Sequence, residues 1–200
     1  MTITYPARTG IYVNMTNRCP CACTFCLRNN KDHVFDSDSL WLDREPTIQE
    51  VCDSIDTWDL TKYEEIVFCG YGEPTERLHD LLEVAKYIKS KSAIKIRINT
   101  NGLADLICNE STAPKLKGLI DTVSISLNAT DKDEYLKVVR PKFGIQSYDA
   151  MLKFAKECTE YVPSVIMTVV DVVTSKDEQE ACRKICESVG ATLRIRPYED

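Results

Sequence analysis

Cys19-Pro20-Cys21-Ala22-Cys23-Thr24-Phe25-Cys26 places four thiols within eight residues. Thiolates at that density bind soft metals and iron–sulfur clusters. Four cysteine ligands close a [4Fe–4S] cluster and suit it to electron transfer, whereas three leave one iron open to another ligand. Taken as Cys19-x3-Cys23-x2-Cys26, the run supplies three ligands and leaves Cys21 as a bystander. With Cys21 included it supplies four. Zinc is the third use of such a loop, but zinc sites more often pair two Cys-x2-Cys knuckles, and no second knuckle matches Cys23-x2-Cys26. The other cysteines are less suggestive. Cys52 falls on an apolar helical stripe, as do Cys182 and Cys186, although Cys182-x3-Cys186 also has the spacing of a metal pair. Cys108 and Cys158 have no partner in sequence, and Cys69 stands beside a glycine-rich turn, between packing and function. His33 and His79 are isolated in polar surroundings, and neither makes a convincing ligand or base.

Composition narrows the class. The 200 residues, 44% hydrophobic and 28% charged, suit one globular domain spanning residues 1–200. No apolar run approaches membrane length and no signal peptide is evident, so neither a span nor secretion is expected. A net charge of -6 argues against a general nucleic-acid binder. Ten cysteines would allow five disulfides by parity. Without a secretory signal, free thiols in a reducing cytoplasm are the expectation.

Elements must then position the loop. Alternation at Ile11–Thr16 predicts the first strand, directly before the cysteines. Residues 27–45 are largely polar, apart from Val34, Phe35, Leu40 and Trp41, and form a loop long enough to be functional or mobile. Thr47-x-x-Glu50 is a capping box, followed at helical spacing by Ile48, Val51, Cys52, Ile55 and Trp58. Further strands are predicted at 65–69, 94–99, 121–127, 165–173 and 192–197. Helices are expected after Leu78, after Asn128, over 147–161 and along the Ala181–Val189 stripe, which Gly190 ends. Between Gly102 and Asp121 the helical signal is weaker and breaks at Pro114. Six alternations of strand and helix predict an α/β fold with mainly parallel strands: a partial (β/α)6 barrel with the cysteine loop after strand one.

Several strands alternate rather than run apolar throughout. Lys95, Arg97 and Asn99 oppose Ile94, Ile96 and Ile98; Ser124, Ser126 and Asn128 oppose Val123, Ile125 and Leu127; Arg194 and Arg196 oppose Leu193 and Ile195; Asn14 and Thr16 oppose Val13 and Met15. One face should pack helices while the other presents a polar cavity or simply meets water. Arginines there favour an anionic ligand. The unusual turns lie at strand carboxyl ends, where α/β sheets bind ligands.

Together these motifs resemble the radical S-adenosylmethionine (SAM) enzymes. The resemblance covers Ile11 to Tyr198. It rests on Cys19-x3-Cys23-x2-Cys26, on Gly70-Tyr71-Gly72-Glu73-Pro74 after the second predicted strand, on Asn99-Thr100-Asn101-Gly102 and on Ser124-x-Ser126-x-Asn128. It implies that Cys19, Cys23 and Cys26 hold a [4Fe–4S] cluster whose remaining iron is chelated by SAM. By the same likeness Phe25 lies beside the adenine, Gly70, Gly72 and Glu73 approach the methionine amino group, and Asn99, Ser124, Ser126 and Asn128 contact ribose and carboxylate. Arg97, Arg194 and Arg196 are candidates for the SAM carboxylate or for substrate, Arg196 being assigned to the cofactor. Cys-Pro-Cys-x-Cys-Thr-Phe-Cys-Leu-Arg, Met167–Asp171 and Val139–Gly144 resemble, more narrowly, the TatD-associated radical SAM family; Arg140–Gly144 would be a substrate loop or a plain turn. The implied activity is reductive cleavage of SAM to a 5′-deoxyadenosyl radical that abstracts hydrogen from a substrate. Flavodoxin or ferredoxin would be the reductant, and a TatD-type hydrolase a genomic neighbour. A glycyl-radical activating enzyme is the alternative within the class. A non-catalytic iron–sulfur protein for electron transfer or redox sensing is the alternative outside it.

Overall fold

The computed structural model describes residues 1–34, 37–171 and 175–197. Its strands form one sheet in chain order: β1 (Thr4–Ala7), β2 (Gly10–Val13), β3 (Glu65–Phe68), β4 (Lys95–Thr100), β5 (Thr122–Ser126), β6 (Ser164–Val170) and β7 (Thr192–Arg196). β2 to β7 are parallel, and β1 returns antiparallel onto β2. The sheet is open, with β1 and β7 as its edges. Between the strands run α1 (Ile48–Asp56), α2 (Leu78–Lys91), α3 (Ala104–Cys108), α4 (Lys132–Val139), α5 (Gln146–Tyr161) and α6 (Lys176–Val189). The expected α/β alternation of six parallel strands is therefore present. What periodicity did not reveal is β1, which is short and contains Pro6. A proline's missing N–H is tolerated on an edge strand. The cysteine loop consequently follows the second strand of the chain, which is the first of the parallel set.

Local sequence explains the helices. Thr47 and Glu50 cap α1 reciprocally, and Ser175 and Glu178 do the same for α6. Val51, Cys52 and Ile55 of α1, Leu81, Val84, Ala85 and Ile88 of α2, Met151, Phe154, Ala155 and Cys158 of α5, and Cys182 and Cys186 of α6 all enter the main core. There they meet the outer sheet face formed by Ile11, Val13, Ile66, Phe68, Ile96, Ile98, Val123, Ile125, Met167 and Val169. Each Val, Leu, Ile, Phe or Met among them contributes about 1.5–3 kcal/mol on burial, so packing outweighs propensity in holding the helices. Cys52, Cys158, Cys182 and Cys186 are thus core residues.

Three expectations change. β2 stops at Val13, and Asn14 and Thr16 do not line a cavity. Asn14 is fully buried, with its side-chain amide donating to the Leu40 carbonyl at 2.7 Å and its backbone N–H to Ile3 at 2.8 Å. Thr16 Oγ1 donates to Glu45 Oε1 at 2.6 Å. Both therefore pin the 27–45 loop, while Asn14 Oδ1 stays buried without a partner. The predicted strand 165–173 ends at Val170; Val172 and Val173 lie outside the described residues, as do Phe35 and Tyr198. On β7 the expected apolar side is incomplete, Ile195 being 39% exposed, because the strand is a sheet edge packed against α6.

Candidate functional site

The cysteine loop is held by a segment far along the chain. Ala22 N–H donates to the Val139 carbonyl at 3.1 Å, Thr24 N–H to Val138 at 2.9 Å, and Lys142 N–H to Pro20 at 2.8 Å. Cys21 and Pro141 form an isolated antiparallel bridge. Arg140, with φ +49°, ends α4 in the left-handed region and turns the chain into this contact. The Arg140–Gly144 segment, expected as a substrate loop or a turn, thus braces the cysteine loop. Cys19, Cys23 and Cys26 are half-buried, Cys21 is 4% exposed, and all ten cysteines are free. Cys21 accepts from Asn101 Nδ2 at 3.6 Å and hydrogen-bonds to Cys19, which lowers the pKa of Cys19 and raises that of Cys21. Cys21 is thus buried against Asn101 and Cys19. Burial, with Cys26 and Cys19 close by, pushes Cys23 up to about 12, and burial also raises Cys26. Cys23 and Cys26 both feel Cys19, which puts the three thiols in one neighbourhood, as a shared polynuclear cluster requires. Among the described residues no three Cys, His, Asp or Glu side chains converge as one metal ion would require. Phe25 is half-buried between Cys23 and Cys26.

The glycine-rich turn follows β3. Its glycines let the backbone pass close to the segment that leads into the cysteine loop. A Cβ on Gly70 would lie 2.0 Å from Asn14 Oδ1, and one on Gly72 would lie 2.2 Å from the Thr16 carbonyl oxygen. Glu73 is 3% exposed and engages four donors. Its Oε1 accepts from Thr75 N–H at 3.1 Å, Thr75 Oγ1 at 2.7 Å and Thr100 Oγ1 at 2.7 Å, and its Oε2 from Asn101 N–H at 2.7 Å. Burial still raises its pKa against those donors. Glu73 therefore ties the glycine turn to the end of β4, and its Oε2 retains acceptor capacity for an ammonium group.

Period-two geometry divides the inner face of the sheet. Over β2 and β3 it is apolar: Tyr12, Val67 and Tyr71 pack with Tyr5, Ala7 and Leu40, and Cys69 and Val34 join them. The 27–45 loop covers this part, with Asn17 and Leu42 exchanging bonds of 2.8 and 3.1 Å and the Tyr71 hydroxyl donating to Lys31. From β4 to β7 the face is polar. Buried atoms without a partner include Asn99 Oδ1, Asn128 Oδ1 and the Nε atoms of Arg97, Arg194 and Arg196. Asn128, with φ +58°, takes the left-handed conformation that asparagine tolerates. Ser126 is half-buried. Ser124 is committed, its hydroxyl accepting from Arg194 Nη2 at 3.1 Å. Cys69 lies near Asn99, Arg196 and Glu73, so it sits on the functional face. His33 and His79 are exposed. Such orphaned polar atoms at strand ends, beside three half-buried thiols, fit an open cluster with a polar ligand chelated to it.

One residue escaped the sequence, and a second stood in a quoted motif without a role of its own. Tyr135 of α4 is buried, its hydroxyl unpartnered, with Cys21 and Cys23 among the charges that raise its pKa after burial itself. Asn101 links Glu73 to Cys21 and accepts from Leu103 N–H at 2.9 Å. No periodicity marks a tyrosine on a helix as facing a loop more than a hundred residues earlier.

The comparisons bear on this geometry directly. A family model described as Radical SAM superfamily matches residues 13–185. No curated protein matches the chain. Among solved structures, a radical SAM methyltransferase from Sphaerobacter thermophilus is similar at 19% identity and a TM-score of 0.66, over 96% of this chain and 56% of that one. HydG, the FeFe-hydrogenase maturase of Carboxydothermus hydrogenoformans, matches at 16% and 0.67, over 96% and 44%. Streptococcus suis SuiB, solved bound to S-adenosylmethionine, matches at 16% and 0.63, over 94% and 38%. At these identities the likeness is one of fold, and the chain spans about half or less of those proteins.

Proposed function

The chain belongs to the radical SAM superfamily, and from that premise we propose that Cys19, Cys23 and Cys26 ligate a [4Fe–4S] cluster in a single domain of residues 1–200. The superfamily's members are enzymes that use this cluster and SAM and need an electron donor such as flavodoxin or ferredoxin. Among the described residues no helix is long and apolar enough to cross a membrane. When bound and reduced, these groups supply a 5′-deoxyadenosyl radical able to take a hydrogen atom from a substrate.

The chain's own residues do the rest. The bracing of Pro20–Thr24 by Val138–Lys142 fixes the ligand loop, while Arg28 Nη2 ties its turn by donating to the Cys21 carbonyl at 3.2 Å. Phe25 offers an aromatic face to the adenine, and Gly70, Gly72 and Glu73 present backbone and Oε2 to the methionine amino group. Asn99, Ser124, Ser126, Asn128 and Arg196 supply polar contacts to ribose and carboxylate. Leu40 and Tyr71, held under the 27–45 loop, keep water from one side of the site. The narrower membership is the TatD-associated family, on its cysteine string and on Val139–Gly144, whose bracing role gives that stretch a reason to accompany the loop. Free cysteines, half of them buried, suit a reducing cytoplasm.

One observation carries the proposal: three half-buried thiols lie in a loop that Asn101, at the end of β4, reaches through Cys21, and the buried Asn99 and Asn128 oxygens of neighbouring strand ends lack partners. Anaerobic reconstitution followed by dithionite and SAM should yield 5′-deoxyadenosine by liquid chromatography. A fully loaded protein that forms none would overturn the enzyme reading in favour of an electron-transfer or sensing role.

A further inference from the structure

The last turn of α4 lies on the cysteine loop. The Val139 carbonyl accepts from Ala22 N–H at 3.1 Å and the Val138 carbonyl from Thr24 N–H at 2.9 Å, while Pro141, just past the helix, bridges Cys21. Two residues of α4 are buried, Tyr135 and Val139, and their spacing of four puts them on one face of the helix. The face that carries Tyr135 inward is therefore the one that meets the loop a turn later, about 6 Å along the axis. Tyr135 is 1% exposed and shares a core with Cys21, against which Cys19 and Cys23 also pack.

The Tyr135 hydroxyl is buried and has no hydrogen-bond partner. A phenylalanine would fill the same space without the cost, about 1–3 kcal/mol, of keeping an unpaired hydroxyl from water. Polar groups around it are engaged elsewhere. The Tyr148 ring meets that of Tyr135 edge-on, with centroids 5.5 Å apart, but the Tyr148 hydroxyl donates to the Thr130 carbonyl at 3.0 Å. Cys21 Sγ accepts from Asn101 Nδ2, and Asn101 Oδ1 accepts from Leu103 N–H. The charges that act on the hydroxyl after burial itself, those of Cys21, Cys23, Glu73 and Cys19, all belong to the candidate site. A buried donor left over beside a loop of thiols lacks an acceptor that the chain does not supply.

We propose that the Tyr135 hydroxyl donates a hydrogen bond to a sulfur of the [4Fe–4S] cluster and thereby raises the cluster's reduction potential. The assignment rests on the radical SAM reading for the presence of the cluster. Hydrogen bonds to the sulfurs are among the influences that set such potentials. One-electron reduction adds negative charge that the sulfurs share, so a donor aimed at them stabilises the reduced form more than the oxidised one. Tyr135 is then a positioning residue rather than a ligand, and it makes the cluster easier for an outside donor to reduce.

Tyr135→Phe removes the hydroxyl and keeps the ring. In the anaerobically reconstituted full chain, redox titration without SAM, read by electron paramagnetic resonance, should place its midpoint potential about 59 mV below the wild type, the one-electron equivalent of a tenfold loss in the reduction equilibrium. Without the cluster, the variant should melt no lower than the wild type by circular dichroism, because the hydroxyl it loses is unpartnered. Tyr148→Phe is the control: it loses a bond to a backbone carbonyl, should melt lower with and without the cluster, and should keep the wild-type potential. An unchanged or higher potential in Tyr135→Phe, or an equal fall in Tyr148→Phe, would overturn the proposal. A lower Tm in cluster-free Tyr135→Phe would also overturn it, by showing that the hydroxyl already has a partner in the protein. A Tyr135→Phe chain that folds as the wild type yet retains less iron and sulfide confines the loss to the loaded state and supports the assignment. Failure of the radical SAM reading is distinct: the wild type would then bind no cluster, or form no 5′-deoxyadenosine whatever its potential.

Discussion

Replacing Gly72 by alanine tests whether the glycine turn is a packing device. The added Cβ would lie 2.2 Å from the Thr16 carbonyl oxygen and 2.7 Å from that of Arg18, both backbone atoms. Carbon–oxygen contacts close no nearer than about 3.3 Å, so the two segments must part by about 1 Å. That separation breaks the 2.8 Å bond from Glu73 N–H to the Arg18 carbonyl and loosens the Glu73 carboxylate from its donors. Overpacking costs about 1–3 kcal/mol, the backbone bond about 1, and the strained carboxylate bonds about 1–2 more. A loss of about 3–6 kcal/mol lowers Tm by roughly 6–24 °C in a chain of this size. Circular dichroism of the cluster-free protein reads that shift, and iron content after reconstitution should fall with it, because Thr16–Arg18 leads into Cys19. The control is Gly118→Ala: φ is +75° and nothing lies within 4 Å of a Cβ there, leaving only left-handed strain of about 1–2 kcal/mol. If Gly72→Ala melts no lower than Gly118→Ala, the close-approach reasoning is wrong.

Substituting Cys21 by alanine should leave iron and sulfide content after reconstitution near wild type, whereas alanine at Cys19, Cys23 or Cys26 should abolish the cluster absorbance; equal loss at Cys21 would make it a ligand. Glu73→Gln sets an amide donor among four donors, and its urea midpoint should correspond to a loss of about 2–4 kcal/mol, an unchanged midpoint ruling out the anchoring role. Arg44, then Thr47, holds the Glu50 carboxyl down at about 2. Its folded pKa lies below the unfolded one, so its contribution is full above the ordinary carboxylate range and is lost as pH falls through about 2. The difference in Tm between wild type and Glu50→Gln should therefore shrink from pH 6 to pH 2, and a constant difference would remove Glu50 from the acid response.

Much of the fold was legible because the patterns that encode it are local. Thr47-x-x-Glu50 formed its reciprocal cap, the Cys182–Cys186 stripe went to the core, and the alternation of β4 and β5 separated helix-facing isoleucines from the polar face. Missed features depend on long-range contact. β1 is too short and too exposed on one side to show a period, and its partner is made by a hairpin. Asn14 follows the same alternation as Asn99, yet the amide of one donates to the Leu40 carbonyl of the covering loop, while the other lies beside Cys69 on the polar face. Alternation marks a side of the sheet; it does not say whether chain or ligand covers that side. Gly72 and Glu73 were visible as a motif, but their engagement with Thr16, Arg18, Thr100 and Asn101 belongs to tertiary structure.

The strap of backbone bonds between the cysteine loop and the end of α4 has a consequence in time. Thr24 and Val138 are 114 residues apart. At ribosomal rates of about 5–20 residues per second, the cysteines emerge roughly 6–20 s before the segment that holds their loop has been made. During that interval the four thiols sit on a tether with no fixed spacing. A cluster that needs the braced loop must therefore wait until the end of α4 has been made, and the thiols must stay reduced until then.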